Sequence, residues 1–128
     1  MIFDTGGTQP IYLQISEWLE REILSHNFAT DEKVYSQYQL AEMFNINPAT
    51  AAKGLNILAE EGILYKKRGL GMFVSPEAGR IIREKRRKQV LHRLRELIRE
   101  AELLDITESE LLAMFKAAQK REKKEERV

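Results

Sequence analysis

Apolar side chains near the start of the chain recur at intervals of three and four residues. Within Gln9–Ser25 they occupy five such positions: Ile11, Ile15, Trp18, Leu19 and Ile23. Because an α-helix repeats every 3.6 residues, these side chains share one face, and the segment is predicted to be an amphipathic helix. The preceding Met1–Thr8 contains Gly6 and Gly7 and is predicted to be irregular.

A pair of shorter helices is predicted beyond a polar connection at Asn27–Lys33. Ser36 is a candidate N-cap for a helix over Tyr38–Phe44, since a serine side chain accepts a hydrogen bond from the first helical turn. A turn at Asn45 and Ile46 separates this helix from the next one.

The second helix of the pair has clear start and stop signals. Asn47 is a candidate N-cap, and Pro48 stands at the first helical position, where its missing N–H costs nothing. The helix is predicted to reach about Glu61 and to end at Gly62. Its inward face, predicted to pack on the first helix of the pair, carries Ala51, Leu55 and Leu58.

The next pattern predicts a β-hairpin. Two short apolar runs, Ile63–Tyr65 and Met72–Val74, flank a turn at Arg68 and Gly69. Ser75 and Pro76 mark the end of the hairpin. A helix, a short helix, a second helix and a basic hairpin, in this order, are the layout of a winged helix-turn-helix.

Two helices are predicted after Pro76. The first runs from Glu77 to about Leu104, and Thr107 with Glu110 forms a capping-box pattern that starts the second, about Glu108–Lys120, before a charged tail. Their apolar positions follow a heptad seam, widened by neighbours and by a stripe on the last helix: Val90, Leu91, Leu94, Leu97, Ile98, Ala101, Leu104, Leu111, Leu112 and Phe115.

Two helices in a hairpin cannot hide both apolar stripes, so the surplus indicates a partner, most simply a second copy. The alternative is that both helices fold back on the winged helix in a monomer. The predicted fold class is therefore mainly α with a small β-hairpin. Residues 1–76 form a winged helix-turn-helix DNA-binding domain, and residues 77–128 form a two-helix dimerisation segment with a charged tail.

Composition narrows the function classes. The 128 residues are 43% hydrophobic and 32% charged, and cysteine is absent, so disulfides and thiolate metal sites are excluded. No apolar run approaches the roughly 18 residues of a membrane-spanning helix, and the N-terminus lacks a signal-peptide pattern. We therefore expect a cytoplasmic protein that does not interact with membranes.

Charge is distributed unevenly. Residues 1–79 hold six basic and ten acidic side chains, a net −4, whereas residues 80–128 carry a net +5. DNA binding by the first part therefore needs a local basic patch, because exposed charges are screened beyond about 10 Å.

The candidate DNA contacts come from both helices of the pair and from the hairpin. The N-terminal residues of the second helix of such a pair meet base edges in the major groove, and a basic hairpin suits phosphates or a narrow minor groove. The predicted contacts are Ser36, Gln37, Tyr38, Asn47, Pro48, Ala49, Thr50, Lys53, Asn56, Lys66, Lys67, Arg68, Gly69, Leu70 and Gly71.

Each of these signals is weak alone, since three adjacent cations are most often a solvated face. Their occurrence together and in this order along the chain favours DNA binding. Six further cations lie between Arg80 and Lys88, and two interpretations stay open for them. In the first interpretation these cations contact the DNA backbone. In the second they form only the solvent-exposed surface of the linker helix.

Pro10–Ser75 resembles the DNA-binding domain of GntR-family regulators. The resemblance is carried by PIYLQI and by LAEMFNINPATAAKGLNILAEEGILYKKRGLGMFVS. The start Asn47-Pro48-x-Thr50 and the wing tip Arg68-Gly69-Leu70-Gly71 are most similar to the YtrA-like subfamily. The resemblance implies a homodimer and control of neighbouring operons, often those of transporters.

The sequence departs from the family pattern at the DNA-contacting positions. Tyr38 replaces the usual arginine, Ala49 replaces the subfamily's asparagine, and Lys53 stands where arginine or lysine is typical. A lysine lacks the bidentate fork with which arginine reads guanine. Gly54 in mid-helix costs about 1 kcal/mol relative to alanine. These changes bear on the operator sequence and on affinity.

No enzyme, metal or cofactor is indicated. There is no nucleophile–base pair or phosphate-binding glycine loop, and His26 and His92 lack ligand-spaced partners. Two helices are expected to be too small to enclose a typical ligand pocket of about 300 Å³, so an effector stays unknown.

The predicted function is a dimeric repressor that binds double-stranded DNA at a near-palindromic operator. The alternative is a winged helix used for protein–protein contact without DNA binding.

Overall fold

The computed structural model describes residues 7–126, which form five helices and one antiparallel hairpin. The elements in chain order are α1 (Ile11–Leu24), α2 (Gln37–Phe44), α3 (Pro48–Glu60), β1 (Leu64–Lys67), β2 (Gly71–Val74), α4 (Ala78–Leu103) and α5 (Glu108–Glu126). Leu64 lies opposite Val74, and Lys67 lies opposite Gly71. The predicted fold class and element order are confirmed; of the predicted irregular start, residues 1–6 lie outside the described residues.

Several helix ends differ from the predictions. α1 begins at Ile11 because Pro10 occupies its N-cap. α2 begins at Gln37, where the Ser36 hydroxyl accepts from the Gln39 N–H at 3.1 Å and the Gln39 side chain accepts from the Ser36 N–H at 2.8 Å. This reciprocal pair is a capping box. α5 continues to Glu126, six residues past the predicted end at Lys120.

The chain divides into two compact units, residues 1–86 and 87–128. The division falls within α4, whereas the predicted boundary lay between residues 76 and 77. The first turns of α4 belong to the first unit because Ala78 and Ile82 are buried in its core.

The core of the first unit gathers apolar residues from four helices and the hairpin. Trp18 of α1 stacks on Tyr35 and meets the edge of Phe44. The predicted inward face of α3 is buried, at Ala51, Leu55 and Leu58. The polar side of α3 is consequently left at the surface of this unit.

α1 and α3 pack closely at Gly54. A Cβ at this position would lie 2.9 Å from the Tyr12 carbonyl oxygen and 3.1 Å from Cγ2 of Ile15. The buried Ser16 hydroxyl lies beside this contact and donates to the Gly54 carbonyl at 2.8 Å. Gly54, a sequence-level anomaly in a helix, is therefore explained by close helix packing.

Glu20 of α1 is 1% exposed and is neutralised by the start of α4. Its carboxylate accepts from Lys85 Nζ at 2.7 Å and from Arg86 Nε at 2.8 Å, and Lys85 also pairs with Glu61. Burial by itself would lower the pKa of the Lys85 ammonium. The hydrogen bonds and charges of Glu20 and Glu61 outweigh burial and raise this pKa. The ion pairs of Lys85 therefore persist at neutral pH and are lost as pH rises through the raised value.

The second unit contains the rest of α4 and α5, joined by a turn at Asp105, whose φ is +56°. The predicted Thr107 cap is confirmed, since the Thr107 hydroxyl oxygen accepts a hydrogen bond from the Glu110 N–H at 3.2 Å. The two helices frame an apolar groove of about 720 Å³. The sequence predicts that two helices are too small to enclose a ligand pocket, and this groove is open to solvent and is not an enclosed cavity.

Gly54→Ala is expected to destabilise the protein by about 1–3 kcal/mol, although alanine is the better helix former, because the new methyl group overpacks the α1–α3 contact. Gly79→Ala is the matched control. A Cβ there meets only the flexible end of Arg83. Because Gly79 is the second residue of α4, this change is expected to be neutral or to stabilise by less than about 1 kcal/mol. Urea unfolding at one protein concentration measures both; stabilisation by Gly54→Ala would contradict the packing.

The double change Lys85→Met and Arg86→Met is expected to cost about 3–5 kcal/mol of unfolding free energy, because it leaves the buried Glu20 without a counter-charge. Adding Glu20→Met should recover most of this loss, since an apolar side chain of similar size needs no partner. A triple variant as unstable as the double variant would show that the carboxylate is not the cause.

Candidate nucleic-acid interface

The start of α3 is held at the surface by its cap. Asn47 Oδ1 accepts from the Ala49 N–H at 2.8 Å, and Pro48 occupies the first helical position, as predicted. Asn47 and Ala49 are exposed, and Pro48 and Thr50 are half-buried. The first turn of α3 is therefore accessible, and the small Ala49 side chain allows a partner to approach its backbone.

The outward face of α3 continues with Lys53 and Asn56, both exposed. The Lys53 ammonium lies 4.0 Å from the centroid of the Tyr12 ring on α1. Sequence reasoning missed this contact because it joins residues that are 41 positions apart.

The start of α2 contributes a different kind of surface. Ser36 and Gln37 are half-buried, and the Ser36 hydroxyl is engaged in capping. Tyr38 is 69% exposed. The residue that replaces the family's arginine is thus the most accessible of the three.

The hairpin presents its cations on two faces. Successive side chains of a strand alternate, so Lys66 shares a face with the buried Leu64, whereas Lys67 shares the other face with Tyr65. Lys67 Nζ lies 4.6 Å from the Phe73 ring centroid, and Tyr65 stacks on Phe73 at 5.8 Å. The three adjacent cations of the sequence therefore do not form one patch.

The tip of the hairpin is an exposed turn. The Leu70 N–H donates to the Lys67 carbonyl at 2.9 Å, which places Arg68 and Gly69 at the end of the wing. Gly69 has φ +77° with open space around it, and Gly71 has φ +117° against the Lys33 stem. Arg68, Gly69 and Leu70 are exposed, and Gly71 is half-buried.

The segment Asn27–Lys33, predicted to be a polar connection, contacts the hairpin. Lys33 bridges Phe73 of β2 through its backbone. The Tyr65 hydroxyl donates to Asp31 Oδ1 at 2.7 Å, and this hydrogen bond raises the pKa of the Tyr65 phenol. Lys33 is an exposed cation beside the wing that the sequence pattern did not indicate.

The basic run between Arg80 and Lys88 serves more than one purpose. Arg80 pairs with Glu77, just before α4, and with Glu84 on its own helix. Lys85 and Arg86 neutralise Glu20, a role that neither sequence interpretation included. Arg83, Arg87 and Lys88 are exposed.

The predicted dimer stripe is apolar and uncovered at most of its positions. Eight of its residues are 40–61% exposed: Val90, Leu91, Leu94, Leu97, Ile98, Leu104, Leu112 and Phe115. Leu111 is half-buried. Ala101 differs, since it is 5% exposed within the single chain; it lies at the closed end of the helix pair, where the Ile106 N–H donates to its carbonyl at 2.9 Å.

Two kinds of feature are not found among residues 7–126. No group of three or more histidine, cysteine, aspartate or glutamate side chains is placed to hold a metal ion. No helix there has the length and apolar character needed to cross a bilayer.

A helix-turn-helix core with an exposed, polar α3 start and a basic hairpin defines a winged helix-turn-helix protein. The model of the gntR family of bacterial regulatory proteins matches residues 11–74. The chain belongs to this family. The family comprises bacterial regulatory proteins, and the curated relatives that the chain matches are transcription regulators.

Individual relatives agree with this assignment. The transcriptional repressor YtrA of Bacillus subtilis is 30% identical over 98 residues, which cover 77% of this chain and 75% of that protein. Three other curated relatives match over 66–70 residues, and this chain spans only 19–30% of their length.

Solved structures extend the likeness. A GntR family transcriptional regulator from Listeria monocytogenes is 28% identical with a TM-score of 0.74, covering 90% of this chain and 98% of that one. The AraR DNA-binding domain in complex with operator ORE1 is 25% identical with a TM-score of 0.56, covering 59% and 98%.

Proposed function

We propose that two copies of this chain join through α4 and α5 and repress transcription by binding a near-palindromic operator close to a promoter. The chain acts in the cytoplasm, where a bacterial chromosome lies. Binding would block polymerase at a nearby operon, and transporter operons are the first candidates because of the YtrA-like resemblance. Three of its relatives are named transcriptional repressors.

One observation carries the proposal. α3 buries Ala51, Leu55 and Leu58 and leaves Ala49, Lys53 and Asn56 on its accessible side. A helix that offers a polar, small-residue start in this way suits the major groove, where its first residues reach base edges. Lys53 and Asn56 would read the sequence, and the N–H groups at the start of α3 would meet a phosphate.

The wing supports the same arrangement. Lys66 and Lys67 project from opposite faces of the hairpin, with Arg68 at the tip. A hairpin of this kind, laid along a minor groove, places one cation toward each flanking backbone, and an arginine at its tip suits a narrow groove. Lys33 adds a fourth cation beside the wing.

The second unit supports the dimer. A large exposed apolar stripe of this kind is typical of a surface that binds a partner. The same stripe on a second copy would cover it in a symmetric dimer. Two α3 helices would then stand at a fixed distance, which predicts half-sites one helical turn, or a multiple of it, apart.

The unaltered chain is expected to bind a random-sequence duplex with an affinity that falls steeply as KCl is raised, because cations displace counterions from phosphates. Lys67→Ala or Arg68→Ala should weaken binding to every sequence and make the salt slope shallower by about one ion. Fluorescence anisotropy with a labelled duplex measures this. Absent or salt-independent binding favours the protein-contact alternative.

Lys53→Ala or Asn56→Ala should change which sequence is preferred, at about 1–3 kcal/mol for each lost base contact. Selection of bound fragments from a random DNA pool identifies the operator of the unaltered chain, and competition with single-base variants then measures the preference. The same preference in both variants and in the unaltered chain would contradict the placement of α3 in the groove.

Leu94→Glu combined with Leu97→Glu is expected to give a monomer with weak operator binding, because two charges would enter the apolar contact. Gln89→Glu and Glu96→Gln, exposed positions of α4 outside the seam, serve as controls and should leave the mass unchanged. Light scattering measures the mass in solution. An unchanged mass of the leucine double variant would overturn the α4–α5 dimer.

A further inference from the structure

Lys53 is the one long cation on the accessible side of α3, and its chemistry poses a problem for base recognition. A lysine ends in a point charge on a flexible four-carbon stem, whereas an arginine offers a rigid planar fork. Ordering such a flexible side chain on binding costs free energy. A lysine that discriminates between bases therefore gains from a neighbour that holds it beforehand.

Tyr12 occupies that neighbouring place. The Lys53 ammonium lies 4.0 Å from the centroid of the Tyr12 ring, within the range of a cation–π contact. A carboxylate in this place would cancel the charge that must meet DNA. The face of a ring attracts the ammonium and leaves its positive charge available.

The position of the ring relative to Lys53 is set by the backbone. Gly54, the next residue after Lys53, packs directly on the Tyr12 carbonyl. The Ser16 hydroxyl lies 3.1 Å from that carbonyl and donates to Gly54 O. The first turn of α1 and the middle of α3 are thereby joined at the level of the Tyr12–Lys53 pair.

We propose that Tyr12 is a positioning residue for operator recognition: its ring orders the Lys53 side chain on the DNA-facing side of α3 and so sharpens discrimination between sequences. This inference rests on the proposed function. It assigns a specificity role to a residue of α1 that lies outside the helix-turn-helix pair and outside the wing.

The test is a double-mutant cycle. Tyr12→Leu and Tyr12→Met remove the ring, Tyr12→Phe keeps it, and each is combined with Lys53→Ala. The readout is the ratio of affinities for the selected operator and for an unrelated duplex of equal length. Circular dichroism and thermal melting report the fold of each variant, and the two ring-free variants guard against one that fails to fold.

Removal of the ring is expected to lower the affinity ratio roughly threefold to fivefold, while the salt slope is unchanged because the charge of Lys53 remains. Tyr12→Phe should retain the ratio of the unaltered chain. In the Lys53→Ala background, removal of the ring should have no further effect.

Two results would overturn the inference alone. In one, ring removal costs the same factor with and without Lys53. In the other, Tyr12→Phe is as damaging as Tyr12→Leu. A normal ratio in Lys53→Ala would instead overturn the assignment of Lys53 as a base contact, and the positioning role with it. Absence of salt-dependent DNA binding by the unaltered chain would overturn the proposed function.

Discussion

The contact between Gly54 of α3 and the Tyr12 carbonyl of α1 determines where α3 lies in the first unit. A side chain at position 54 would meet backbone at 2.9 Å, and backbone cannot rotate away as a side chain can. Glycine at this position costs about 1 kcal/mol in helix propensity but permits the close packing of the two helices. The buried Ser16 hydroxyl adds a hydrogen bond to the Gly54 carbonyl across this contact. Because the apolar side of α3 is closed against α1 and α2, the polar side faces outward.

In residues 1–79 the position of each charge matters more than the total charge, which cannot attract DNA. Residues 1–79 carry a net −4, yet the accessible side of α3 and the wing display Lys53, Lys66, Lys67 and Arg68. One acidic residue, Glu20, is removed from the surface altogether and neutralised by Lys85 and Arg86. A buried carboxylate of this kind is costly to leave unpaired, so the start of α4 belongs structurally to the first unit.

The two units differ in how completely they bury their apolar residues. In the first, Ile15, Leu19, Leu40, Leu58 and Ile63 are fully enclosed. In the second, the helix pair closes at Ala101 and leaves most of its leucines open around a groove. A unit of two helices has too little volume for a core of its own, and this is the physical basis for the proposal that a partner copy covers the stripe.

Sequence by itself determined the elements, because their signals are local. The Asn47-Pro48 start, the Ser36 cap, the turn at Asn45 and the Thr107 cap each depend on residues within a few positions, and all are present in the structure. Tertiary structure decided what local pattern does not encode: the reason for Gly54, the pairing of Glu20 with Lys85 and Arg86, the Lys53–Tyr12 contact, and the separation of Lys66 from Lys67. The first three depend on contacts between segments that are distant in the sequence, which residue spacing does not predict. The fourth depends on the alternation of side chains in β1, which follows once the hairpin register is known.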